Sequence, residues 1–152
     1  MPKSRGMRSL AAAAVMGFFA AHPATAQQTH TTAHFVYFAT GSHALTPDDR
    51  KQIRDVAGMM QSTPSFNVTI IGKADTTGSK EFNEHLSQRR AEAVFEELVY
   101  NGKVSENRVQ ICWTGERLPF ASTADQVAES QNRMVAIVVT DDVSAHCGAG
   151  MK

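Results

Sequence analysis

Residues 66–98 constrain the chain most. "FNVTIIG" sets Phe66, Val68 and Ile70 on one face, the period-two pattern of a strand, and breaks at Gly72. Beyond a short polar loop the spacing changes. Ser87, Ala91, Val94, Phe95 and Leu98 fall on one face when residues advance by about 100 degrees each, as in a helix. A strand that runs through a glycine loop into an amphipathic helix must lay that helix on a sheet, and the result is a layered α/β unit.

The flanking sequence repeats this grammar. "HFVYF", residues 34–38, has the aromatic and β-branched content of a strand and is followed by a turn at Gly41-Ser42. "LTPDDRKQIRDVAGMM" predicts a helix with Thr46 as N-cap, Pro47 in its first turn and Asp49 completing an acidic capping box. Ile53, Val56, Ala57 and Met60 form its apolar stripe, and Pro64 stops it. The second helix is expected from about Ser79 to Gly102, with Gly102 closing it from the left-handed region. "RVQICWTG" alternates Val109, Ile111 and Trp113 as a third strand. "RMVAIVV" is apolar throughout, which predicts a fourth strand buried on both faces. The order β-α-β-α-β-β describes a two-layer α/β sandwich over residues 34–140, with residues 27–33 as a flexible start and 141–152 as a loose tail.

The first 26 residues read as an export signal. Lys3, Arg5 and Arg8 precede an apolar run, Leu10 to Ala21, and Ala24-Thr25-Ala26 has the small-x-small pattern of a cleavage site. The run is far short of the roughly twenty residues that span a bilayer, and no cysteine follows it for lipid attachment. Without that segment Lys plus Arg falls from 15 to 12 against 15 Asp plus Glu, a net charge of about −3. Nucleic acid is excluded as a partner, because phosphate neutralisation needs clustered excess cations. In an oxidising compartment the two cysteines, Cys112 and Cys147, can form a bridge that pins the tail to the body. The competing reading is one buried thiol and one idle thiol in the tail.

The polar edge of the second helix carries the candidate site. Arg90 projects along the border of the apolar stripe, where a partly desolvated guanidinium requires an acceptor. Asp75 lies in the loop leading into that helix. The two either pair internally or stand apart around a pocket and grip a ligand that carries both signs. Backbone amides near Gly78 and Ser79, at the helix start, suit an anionic group. Asn83, one turn in, is either a ligand contact or a local cap of the loop.

"GKADTTGSKEFNEHLSQRRAEAV" resembles the signature of the OmpA-like domain family, with Gly72, Asp75, Gly78, Asn83, Leu86, Ser87, Arg90 and Ala91 in register. "NRMV" is similar to the family's closing motif and supplies Asn132 and Arg133. The resemblance covers about residues 34–140. It implies non-covalent binding of peptidoglycan through the meso-diaminopimelate of the peptide stem, Asp75 holding the ammonium and Arg90 the carboxylate through paired hydrogen bonds. Periplasmic placement, with the outer membrane or cell wall as neighbour, follows from the same resemblance. Lys73, Ala74 and Met134 depart from the family pattern. A rival within the fold is an adaptor with a degenerate pocket, whose partner is an outer-membrane or other envelope protein.

Catalysis is not expected, nor is a cofactor. The loop from Gly72 to Lys80 mimics a phosphate-binding loop only loosely: five residues separate Gly72 and Gly78 where four are needed, and Ser79-Lys80 reverses the required order. His30 and His34, four apart, have no third ligand beside them, so no metal site is predicted. His43 and His85 read as surface residues, and Met59 and Met60 as core and rim.

Overall fold

The computed structural model describes residues 29–142, 147–148 and 151–152; the proposed export signal, residues 1–26, lies outside them. The elements are β1 (Thr31–Tyr37), α1 (Pro47–Ser62), β2 (Asn67–Gly72), α2 (Lys80–Glu96), β3 (Val109–Trp113) and β4 (Met134–Thr140). A turn of π-helix, Glu97–Asn101, extends α2. The strands form one sheet in the order β1-β4-β2-β3, in which β2 and β3 run parallel and the other neighbours antiparallel. The parallel pair is the one that α2 connects, as a crossover requires.

Local chemistry explains most of the boundaries. Thr46 caps α1: its hydroxyl accepts from the Asp49 amide at 3.2 Å, and the Asp49 carboxylate accepts from the Thr46 amide at 2.8 Å. Ile53, Val56, Ala57 and Met60 are buried against Val36, Val68, Ile70, Val135, Ile137 and Val139 from one face of the sheet. β4, between β1 and β2, is buried along almost its whole length. β1 begins three residues earlier than its composition indicates. Thr31, Thr32 and Ala33, expected within a flexible start, pair with Thr140, Val139 and Val138, so the length of β4 sets the length of its partner.

Two glycines mark close approach. A Cβ on Gly72 would lie 2.0 Å from the Ser87 carbonyl oxygen, so α2 rests directly on the end of β2 and nothing larger than hydrogen fits between them. Gly102 is not in the left-handed region expected of it. Its φ is −80°, and a Cβ there would lie 2.6 Å from the Leu98 carbonyl oxygen and 2.7 Å from the Ala57 Cβ. The glycine serves packing between the helices, while the left-handed turn falls one residue on, at Lys103 with φ 57°.

The tail differs from its expectation of looseness where it is described. Cys112 and Cys147 are bridged, with Cα atoms 6.0 Å apart. The Lys152 amide donates to the Trp113 carbonyl at 3.0 Å and its carbonyl accepts from the Trp113 amide at 3.1 Å. These bonds place Lys152 against the free edge of β3 at Trp113, where an edge strand presents unpaired backbone groups. Among the described residues no helix is long and apolar enough to cross a membrane.

Candidate functional site

The loop after β2 emerges beside the start of β4, because Lys73 continues the ladder by donating its amide to the Met134 carbonyl at 2.9 Å. Asp75 therefore meets the segment that leads into β4. Its carboxylate, 5% exposed, accepts from the Thr77 amide at 3.2 Å, the Glu129 amide at 3.3 Å and Arg133 Nη1 at 3.1 Å. Arg133 also donates Nε to the Phe38 carbonyl at 3.1 Å, and 16% of its side chain stays exposed.

Of the two arrangements the sequence left open, Arg90 is not bridged to Asp75. It corrects the sequence-based picture on one point, because it is not open at the border of the stripe: its exposure is 0%. Its Nε donates to the Ser42 carbonyl at 2.8 Å, Nη1 to the Lys73 carbonyl at 2.9 Å and Nη2 to the Ala39 carbonyl at 3.1 Å. The Phe38 ring lies beneath it, 5.2 Å from centroid to guanidinium carbon, a cation–π contact. The required acceptors are thus main-chain carbonyls of two loops, which no sequence pattern displays. Burial brings the guanidinium down to about 10, with the Asp75 charge opposing the shift and Arg133 adding to it. Arg90 therefore stays charged at neutral pH and ties the β1–α1 loop to the β2–α2 loop.

The helix start is also engaged. Gly78, at φ +97°, donates its amide to Gln126 Oε1 at 3.1 Å and accepts from Gln126 Nε2 at 2.9 Å. The adjacent hydroxyl of Thr76 donates to the Ala124 carbonyl at 2.9 Å and accepts from the Val127 amide at 3.0 Å. Residues 124–127 thus lie along the outside of the loop that carries Asp75. The Ser79 hydroxyl caps α2 by accepting from the Phe82 amide at 3.1 Å. Asn83 is buried and donates Nδ2 to Glu116 at 2.7 Å rather than capping the loop, and its Oδ1 has no hydrogen-bond partner among the described residues.

Two of the family departures acquire roles here. The Lys73 ammonium donates to the Leu118 carbonyl, and burial lowers its pKa. Met134 is fully buried in the sheet, where an arginine would require acceptors. Asn132, also buried, holds the loop between β3 and β4 by accepting from the Ala121 amide at 2.8 Å and donating to its carbonyl at 2.7 Å.

The structure brings Asp75, Arg133 and the Gly78 backbone into one hydrogen-bonded loop system, with Arg90 sealed at its base. It adds Gln126 and Glu129, which sequence reasoning missed; Gln126 adopts φ 59°, rare for a residue with a side chain, and its composition gives no hint of that. The OmpA family model matches residues 37–133, and the chain belongs to this family. It is 31% identical to the peptidoglycan-associated lipoprotein of Brucella melitensis over 82% of this chain and 74% of that protein. It is 29% identical to the putative lipoprotein YfiB of Escherichia coli over 69% of this chain and 66% of that protein; the match to a second lipoprotein of that organism, YiaD, spans 48% of the relative's length. Among solved structures, the peptidoglycan-associated lipoprotein from Burkholderia pseudomallei superposes with a TM-score of 0.63 at 28% identity, covering 69% of this chain and 88% of the other.

Proposed function

We propose that this domain binds cell-wall peptidoglycan non-covalently in the periplasm, taking the diaminopimelate of the peptide stem between opposite charges at the loop after β2. The observation that carries the proposal is the Asp75–Arg133 pair, a carboxylate and a guanidinium 3.1 Å apart at the mouth of that loop, in a chain related to peptidoglycan-associated lipoproteins. Diaminopimelate keeps an ammonium and a carboxylate on one carbon. The ammonium takes Asp75 and the carboxylate takes Arg133. A guanidinium has five N–H donors, and three of those on Arg90 are engaged. The other two serve the same carboxylate once the loop that carries Ala39 and Ser42 moves off the buried guanidinium. Release of Gly78 by Gln126 frees a backbone amide beside them, with the Ser79 cap and Asn83 flanking the entry.

Charge-assisted bonds at a partly open site support an affinity between micromolar and millimolar, about 4 to 8 kcal/mol, and a wall that repeats the same stem compensates through multivalency. Titration of the labelled domain with two stem peptides tests the reading. One peptide carries diaminopimelate and the other lysine, which lacks the distal carboxylate. The diaminopimelate peptide is expected to shift Asp75, Arg133 and Gly78 and to bind at least about tenfold more tightly, the value of one charged hydrogen-bonded group. Equal binding of the two overturns the assignment.

The adaptor reading draws on a different observation. Phe35 and Phe120, from the β3–β4 loop, pack with rings tilted by 55° and centroids 6.1 Å apart, and both, with Tyr37, are solvent-accessible. A protein of that kind is shifted by neither peptide.

A further inference from the structure

The segment between β3 and β4 is tied to the loop that carries Asp75 by polar contacts. Gln126 engages both backbone groups of Gly78, accepting from its amide at 3.1 Å and donating to its carbonyl at 2.9 Å. The Thr76 carbonyl accepts from the Gln126 amide at 3.1 Å, and the Thr76 hydroxyl joins the Ala124 carbonyl at 2.9 Å and the Val127 amide at 3.0 Å. The Glu129 amide reaches Asp75 Oδ2 at 3.3 Å. In this conformation the acid and the backbone amide assigned to the ligand are both taken. The base of the segment is fixed, because the buried Asn132 bonds both backbone groups of Ala121, at 2.8 and 2.7 Å, closing the neck of a compact surface loop. Beyond that neck residues 124–128 are exposed, and none belongs to the hydrophobic core or packs against it. Gln126 also holds φ 59°, an unfavourable region for a residue with a side chain. A segment held by surface hydrogen bonds, with little apolar burial, is among the parts of a fold that open first.

We infer that residues 124–129 form a strap that closes the site by occupying it: the Gln126 carboxamide competes with the ligand for the Gly78 backbone, and the Glu129 amide competes for the Asp75 carboxylate. The inference rests on the peptidoglycan reading and adds to it how access is controlled. A carboxamide suits the task because it carries an acceptor oxygen and an N–H donor side by side. It therefore satisfies the Gly78 amide and carbonyl together, as a residue of a neighbouring strand does in an antiparallel pair. Opening swings the strap about the neck at Ala121 and Asn132 and leaves Arg133 on Asp75. Closure also explains why the acid assigned to the ligand is only 5% exposed. A stem peptide binds the open form alone, so its apparent affinity is the intrinsic one reduced by the open fraction. A strap closed about four-fifths of the time weakens binding about fivefold.

The test measures binding of a diaminopimelate stem peptide to the wild-type domain, Gln126→Gly and Gln126→Asn, together with hydrogen exchange of the Gly78 amide in the three unliganded proteins. Glycine and asparagine both tolerate the left-handed backbone. Glycine removes the carboxamide, and asparagine holds it one methylene too short to span both Gly78 groups. Gln126 is exposed, so both variants keep the fold. Each variant is expected to bind the peptide about fivefold more tightly than the wild type and to exchange the Gly78 amide about fivefold faster. Unchanged or weaker binding, or unchanged Gly78 exchange, overturns the strap and leaves the peptidoglycan reading in place. A gain confined to the glycine variant traces to chain flexibility and overturns it equally. If none of the three proteins binds the peptide, the peptidoglycan reading falls and the competitor role falls with it.

Discussion

Asp75 Oδ2 accepts a hydrogen bond from Arg133 Nη1 at 3.1 Å, joining residues 58 positions apart. The contact locks the loop after β2 to the entry of β4, and it sets Asp75 against a cation other than Arg90, the one its sequence position suggests. The pair holds the fold together at the candidate site, and the proposed binding would draw on the same two groups.

A double-mutant cycle separates the two contributions. Asp75→Ala and Arg133→Ala are each expected to destabilise the domain by about 1 to 2 kcal/mol, since the pair is largely desolvated and hydrogen-bonded. The coupling between them, read from urea melts, is expected at about 1 kcal/mol. Additive effects contradict the bridge.

Arg90 is expected to matter more to stability than any other arginine. Arg90→Met leaves the carbonyls of Ala39, Ser42 and Lys73 without their donors in a buried setting. The expected cost is about 3 kcal/mol or more, whereas Arg89→Met, on the exposed side of the same helix, changes stability by less than about 0.5 kcal/mol. Thermal melts of the two variants check the contrast.

Glu97 predicts an acid limb in the stability profile. Burial alone would raise its pKa, but hydrogen bonds from Asn101, Arg50 and Arg54, with the charge of Arg50, outweigh burial and bring it below the ordinary 4.5. A depressed carboxylate contributes stability that is complete above its unfolded pKa and lost as pH falls through its folded value. Stability is therefore expected to be insensitive to Glu97 from pH 7 down to about 5 and to decline below the ordinary carboxylate range. Glu97→Gln is expected to remove that part of the decline and to cost about 2 kcal/mol at neutral pH. Parallel melts across pH measure both.

The Cys112–Cys147 bridge closes a separation of 35 residues, for which chain entropy gives about 3 to 4 kcal/mol. Reduction is expected to lower the unfolding free energy by about that amount and to free the tail from the edge of β3. Protection of the Trp113 amide against hydrogen exchange reports the second effect, because its acceptor is the Lys152 carbonyl.

The order of elements was legible in the sequence because each one announces itself locally: Thr46 and Asp49 as a capping box, Val68 and Ile70 at strand spacing, Ala91 and Val94 at helix spacing. The importance of Gly72 was readable only as a break, and its physical reason, contact with the Ser87 carbonyl, belongs to the packed layers. The candidate site was proposed from the sequence as a set of residues, and their contacts were not readable there. Arg90 finds its acceptors on backbone carbonyls, which are the same for every residue type. Asp75 finds Arg133 because β4 lies next to β2, a choice of sheet order that side-chain periodicity does not encode. Gln126 escaped notice for the same reason, since its amide reaches Gly78 across 48 positions of chain.

Co-sedimentation with purified sacculi tests the central claim most directly. The account predicts that the wild-type domain pellets with the wall and that Asp75→Ala, folded by its melt, stays in the supernatant. A wild-type protein left in solution, or an Asp75→Ala variant that pellets equally well, contradicts it.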